Sequence, residues 1–214
     1  MKKYLFFFCF SAVFSVSAQI SYDFAQAVPP SGTKVFTVSQ NYFGIYSNPD
    51  SPVKYEVAKD GIFIISTNIT SISRETIRES SQYMVRNNHI FGVHAEDSIP
   101  CVLEGDHYYF GVKSRDQLVG GTSKNVLIQK SVNEYVINFY ENGHYVPMFI
   151  SFTAQGMSRT QFDYDSDTKA FKKIDDRTIV QKDIEFVTLN PTAEEWEKIK
   201  WKELIAVPLL FTKE

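Results

Sequence analysis

Along most of the chain, apolar and polar positions alternate in short runs that end at residues able to reverse the backbone. That pattern predicts antiparallel hairpins rather than helices. It is clearest from Tyr83 to Lys113, which carries a near-repeat, His89-Ile90-Phe91-Gly92-Val93 and His107-Tyr108-Tyr109-Phe110-Gly111-Val112. Each half predicts a hairpin, because Tyr, Val, Ile and Phe flank a short polar turn whose residues tolerate positive φ. The turns are Asn87-Asn88 and Gly105-Asp106. Lys54–Ala58 and Ile62–Ile65 flank Lys59-Asp60-Gly61, and Asp-Gly between apolar runs predicts a type I′ turn. Four successive apolar residues on the return strand predict cover on both faces. Glu134–Tyr140 and His144–Phe152 flank Asn142-Gly143, with Pro147 predicting an edge position or a bulge. A further reversal is expected at Ser166-Asp167. The irregular spacing of these turns excludes a solenoid or propeller.

The flanks are less regular. Residues 19–32 contain Pro29-Pro30 and read as an extended arm kept out of a central strand. Thr33–Ser39 predicts a strand. In Ile69–Gln82, Thr76 and Glu79 have the spacing of a capping box, but Ile69, Ile72 and Ile77 form no helical stripe. A strand or long loop is the expectation there. Asn190-Pro191-Thr192-Ala193-Glu194-Glu195 predicts a helix over about 191–205, with Trp196, Ile199 and Leu204 available to pack on the sheet. Pro208 ends it, and Leu209-Leu210-Phe211 adds a last strand. Roughly ten strands are too many for one open twisted sheet. The predicted fold is therefore all-β: a meander of antiparallel hairpins closing into a barrel, or stacking as a β-sandwich, with one C-terminal α-helix. Residues 33–214 are read as a single domain.

The chain opens Met1-Lys2-Lys3, runs apolar from Tyr4 through Val16 and continues Ser17-Ala18-Gln19. A positive start, a short apolar run and small residues before the junction predict a signal peptide, residues 1–18, cleaved between Ala18 and Gln19. Cys9 lies within the apolar run after Phe6-Phe7-Phe8, without the small residue a lipobox places before its cysteine. Export without a lipid anchor is the expectation, to the periplasm or the extracellular space. Cleavage would remove Lys2 and Lys3 from the 22 basic residues, leaving 20 against 25 acidic ones, a net charge of −5. Such a balance argues against a nucleic-acid partner. No later stretch reaches membrane-spanning length, so the mature chain is expected to be soluble. Its one remaining thiol, Cys101, has no partner for a disulfide and reads as a buried structural residue.

Candidate chemistry is sparse. His94 and Glu96 would share a strand face, and His107 could join them from the adjacent hairpin to give a metal cluster for a hydrolase. The sequence lacks the helical His-Glu-x-x-His arrangement, and turn-edge histidines are ordinarily solvated. Asp163, Asp165 and Asp167 have calcium-loop spacing, but Thr168 and Ile174 stand where that loop needs Gly and Glu. Gly120-Gly121-Thr122-Ser123-Lys124 is rich in glycine without the spacing of a phosphate-binding P-loop, so it reads as a turn. No Gly-x-Ser-x-Gly elbow and no Cys-x-x-Cys is present. With no catalytic residue and no cofactor indicated, the aromatic content carries most weight: 18 Phe and 12 Tyr either fill a core or line a cavity. Tyr55, Tyr83, Tyr108, Tyr109 and Tyr135 could present hydroxyl-tipped surface to a partner.

Tyr42-Phe43-Gly44-Ile45-Tyr46 resembles the Gly-x-aromatic opening of lipocalin-like barrels, with Tyr46 where Trp is usual. The leader ending in Ala-Gln, followed by a β-rich chain, resembles exported β-proteins of Gram-negative bacteria. These resemblances imply a location and a fold class. The expected function is a non-enzymatic binding module for a small apolar ligand, held in a cavity lined by strand aromatics, or for an envelope partner. The alternatives are the hydrolase and an interaction subunit of an envelope assembly.

Overall fold

The computed structural model describes residues 21–93, 98–161, 179–182, 186–199 and 206–214. The leader with its Ala18-Gln19 junction, His94, Glu96 and the Asp163–Asp167 segment lie outside them. In chain order the elements begin β1 (Ser21–Phe24), β2 (Thr33–Val35), a 3-10 turn (Gln40–Tyr42), β3 (Gly44–Ser47), β4 (Val53–Ala58) and β5 (Gly61–Ser73). Next come α1 (Arg74–Glu79), β6 (Met84–Arg86), β7 (His89–Phe91), β8 (Ile99–Glu104) and β9 (His107–Val119). They are followed by β10 (Val126–Gln129), β11 (Glu134–Glu141), β12 (His144–Phe152) and β13 (Gly156–Gln161). The chain ends with β14 (Ile179–Lys182), β15 (Phe186–Leu189), α2 (Ala193–Lys198) and β16 (Leu209–Lys213).

The sheet branches at β12. One side of β12 pairs from His144 to Ser151 with β11, which continues to β10 and β2. The other side is shared: Met148–Phe152 pairs with β13, while Tyr145 meets Phe24 of β1. From β13 the order runs β16-β3-β4-β5-β9-β8-β7-β6, and from β1 it runs β15-β14. Pro147 falls where β12 changes neighbours. In an antiparallel hairpin, hydrogen-bonded and non-bonded pairs alternate. Counting from Glu141–His144 at the two-residue turn makes Asn138–Pro147 a non-bonded pair. The missing N–H of Pro147 therefore faces the seam between β1 and β13, where no ladder bond is required. Neither an edge position nor a bulge is needed.

Fourteen buried residues from β3, β4, β5, β9, β10, β11, β12, β13, β16 and the segment after β2 meet in one cluster. Strands this far apart in the sheet order share a core only if the sheet curls around it. Their rings contact one another: Tyr42 stacks on Phe152 at 4.6 Å, and Tyr46 and Tyr135 meet Phe152 edge-on at 5.7 and 5.9 Å. Tyr55 meets Phe211 at 5.1 Å. A second cluster lies on the outer face of β12, where β1, β15 and α2 bring Tyr22, Phe24, Leu189 and Trp196 together. Asn138, fully buried, ties this layer down: its carboxamide accepts from Val28 N–H and donates to Val28 C=O, each at 2.8 Å.

The fold is all-β, mostly antiparallel, as expected. The hydrogen-bonded order among the described residues does not return to its start, so the curled wall is not a closed barrel. Residues 19–32, expected as an extended arm, contribute β1 to the interior of the sheet, parallel to β15. The prolines act only beyond Phe24 and do not oppose this. The turn at residues 59–61 also differs. Ala58 pairs with Gly61, so Lys59 and Asp60 form the reversal, neither with positive φ, and no type I′ turn is present. Gly61, at φ 147°, is the first residue of β5, and a Cβ there would lie 1.9 Å from the Val119 carbonyl oxygen. Asn87-Asn88 (φ 50° and 58°) and Asn142-Gly143 (49° and 95°) do place positive φ at both turn positions. In Ile69–Gln82, β5 continues to Ser73, and Ser73 then caps α1 by accepting from Thr76 N–H. The cap lies three residues before Thr76, and a six-residue helix is too short to show a stripe. The later helix starts at Ala193 under a capping box of Thr192 and Glu195, not at Pro191. Leu209–Lys213 forms the last strand as expected.

Candidate functional site

β5 and β9 are thirteen residues each and pair from Ile62–Val119 to Ser73–His107, reaching well beyond the main core. At their far end, β8, β7 and β6 extend the sheet and α1 covers one face. Because strand side chains alternate, each face can be read from the register. The covered face buries Ile90, Cys101 and Phe110, with Ile72, Ile77, Val85, Ile99 and Tyr108 against them. Burial pushes the Cys101 thiol up, which fits a packing role rather than a nucleophile. Between this cluster and the main core the ribbon narrows to polar pairs, with Ser66 and Ser114 hydroxyls 2.8 Å apart.

The opposite face of this distal lobe carries no second layer among the described residues. Its apolar positions stand in solvent: Ile69 is 72% exposed, Val102 69%, Met84 57% and Tyr109 40%. Val102 pairs directly with Tyr109, so they form a patch rather than isolated residues. Arg86, His89, Lys113, His107 and Glu104 surround it on the same face by register. Nearer the main core on that face, Arg115 lies 3.4 Å over the ring of Phe63 and donates to both Glu56 oxygens at 2.7 and 3.0 Å. Those hydrogen bonds hold the Glu56 carboxyl below its ordinary range. The second face of β5, expected to be covered, is thus covered here by a guanidinium.

Of the residues proposed for a metal cluster, His107 sits exposed where β9 begins, its ring 6.4 Å from Tyr109. His94 and Glu96 are outside the described residues, and no group of three or more His, Cys, Asp or Glu side chains converges among those described. Tyr55 and Tyr135, expected as possible contact surface, are buried instead. Burial pushes the Tyr55 hydroxyl up against the opposing pull of Arg159, whose guanidinium donates to it at 2.8 Å. Tyr109 alone of the five is exposed. Open clefts flank the main core among the described residues. One, of about 410 Å³, lies on the outer face of β11, β12 and β13 beside Val136, Phe149 and Thr160. Another, of about 350 Å³, lies between β2 and the loop joining β9 to β10.

No helix among the described residues is long and apolar enough to cross a membrane. The fold defines an all-β protein with a curled core and a projecting distal lobe of the same sheet. Compared with known protein families, curated proteins and solved structures, the chain matches none of them.

Proposed function

We propose that this is an exported, non-enzymatic recognition module that binds a protein partner of the cell envelope through the uncovered face of its distal lobe. One observation carries the reading: Ile69, Met84, Val102 and Tyr109 stand exposed on a sheet whose other face is packed. Contiguous apolar area rimmed by polar residues favours a protein interface. Tyr109 beside Val102 at its centre and Met84 on the outermost strand are of the residue types enriched there. Among the described residues on that face, Arg86 and Lys113 stand on the rim with Glu104 as their acidic counterpart, so the complementary surface would be apolar at its centre and acidic at its edge. A small apolar ligand inside the wall is less well supported, because the rings that could have lined a cavity contact one another. The curled wall serves as an incomplete barrel that holds the distal lobe in place.

A photo-crosslinking residue placed at position 102 or 69 of the full chain, expressed with its leader in the native envelope, tests this. The expected result is a discrete adduct with another protein from both positions and none from position 132, where exposed Val132 lies far from the patch in the fold. Tyr109→Asp should abolish the adduct. No adduct above the position-132 control, or one of twice the protein's own mass, would overturn the reading. The purified mature chain should begin at Gln19; an uncleaved cytoplasmic chain would remove the exported part of the proposal.

A further inference from the structure

The cleft between β2 and the β9–β10 loop lies on the main core, away from the distal face. Two lysines border it, Lys34 on β2 and Lys124 at the end of the Gly-Gly-Thr-Ser-Lys stretch, and its lining includes no Asp or Glu. Neither lysine has a carboxylate partner among the described residues, although acidic residues exceed basic ones in the chain, 25 to 22. Lys124 instead holds its ammonium 5.4 Å over the Tyr140 ring. Two lysines without carboxylate partners among the described residues, bordering one concave surface, favour an anion.

The backbone adds to this. The loop turns through positive φ at Gly120 (102°) and Gly121 (51°). It is fixed by Ser123, whose N–H donates to Gly120 C=O and whose hydroxyl donates to Leu118 C=O. Asn125 also donates to Leu118 C=O and accepts from the Tyr140 N–H. These bonds leave the N–H groups of Gly121 and Lys124 without a protein acceptor among the described residues. A loop locked in place with spare amides beside cations suits an oxyanion. Three rings join aliphatic and polar side chains in the wall: Tyr140 and Tyr145 meet edge-on at 5.4 Å, and Phe36 is 79% exposed at the rim. A volume of about 350 Å³ suits a ligand of one or two rings.

We propose that this cleft binds a small organic anion, a carboxylate or phosphate ester attached to a planar ring. Lys34, Lys124 and the loop amides take the anion, and Tyr140 and Phe36 take the ring. Calorimetric and NMR titrations of the mature protein would use phenyl phosphate, benzoate, inorganic phosphate and neutral benzyl alcohol as probes. The expected result is saturable binding of phenyl phosphate or benzoate, tighter than either inorganic phosphate or benzyl alcohol. The tighter of the two aromatic acids identifies the anionic group. A Lys34→Gln/Lys124→Gln double variant should weaken binding about ten-fold or more, as expected for loss of charge-assisted bonds. Lys54→Gln, which removes a lysine paired with Glu214 elsewhere, should leave it unchanged. Absence of saturation by about 10 mM, or equal binding by the double variant and the parent, would overturn the proposal.

Discussion

Asn138 offers the sharpest test of how the outer layer is held. Its side chain and the Val28 peptide exchange two hydrogen bonds of 2.8 Å, and both residues are fully buried. Asn138→Leu keeps the approximate volume and removes both partners. An orphaned buried peptide group costs about 1–3 kcal/mol, so two would cost about 2–6 kcal/mol if Val28 stayed in place. Val28 lies outside any strand and can lift away to reach water, losing instead the burial of its side chain, about 1.5–3 kcal/mol. The smaller loss governs, so the expected destabilisation is about 1.5–3 kcal/mol. Asn138→Asp gives a second reading. The carboxylate still accepts from Val28 N–H but cannot donate to Val28 C=O, and burial raises its folded pKa above the unfolded value of about 3.9. A raised pKa means the variant is closest to the parent below that value and loses stability as pH rises toward neutral. Urea unfolding followed by tryptophan fluorescence, with exchange of the Val28 amide, measures both effects. If Asn138→Leu stays within about 0.5 kcal/mol of the parent, or Asn138→Asp shows no added pH dependence, the clamp is not what holds this layer.

Three further outcomes follow from the geometry. Gly61→Val should cost about 3 kcal/mol or more, because its Cβ would meet the Val119 carbonyl, whereas Gly105→Ala meets nothing within 4 Å and should cost only about 1–2 kcal/mol for its φ of 59°. Comparing the two denaturation midpoints checks the order. His107→Ala, at an exposed hairpin end, should change stability by no more than about 0.5 kcal/mol, and an unfolded variant would refute its solvated placement. Glu56 has a folded pKa below its ordinary value, so its contribution is present above the ordinary carboxylate range and lost as pH falls through the folded value. Arg115→Gln should flatten that acid-side loss in a series of urea midpoints across pH.

Hairpins were legible in the sequence because their determinants are local. Asn-Asn and Asn-Gly supply positive φ within two residues, and the flanking alternation fixes the register. The partner of β1 was not legible: β15 lies more than 160 residues away, and nothing around Tyr22 or Phe24 names it. Asn138 did leave a signal, a lone carboxamide within Tyr-Val-Ile-Asn-Phe-Tyr, where a buried polar group must find a partner. Its partner is again distant. The distal patch was half legible, since alternation showed that β8 and β9 have two faces. Which face lacks a second layer depends on where α1 folds back. The lysine cleft joins residues 34 and 124 through the β2–β10 pairing, which the intervening chain does not announce.

The narrow waist at Ser66 and Ser114 has a mechanical consequence. From Thr67 to Ser73 the ribbon advances about 20 Å at roughly 3.3 Å per residue. A molecule caught at the tip is therefore held at arm's length from the main body. Load placed there along the strands meets many ladder bonds at once, in shear, while a sideways push bends the ribbon at its waist, between the two packed clusters. Such an arm resists being pulled yet yields when bent, and whatever grips it feels a tether that is firm in one direction and compliant in the others.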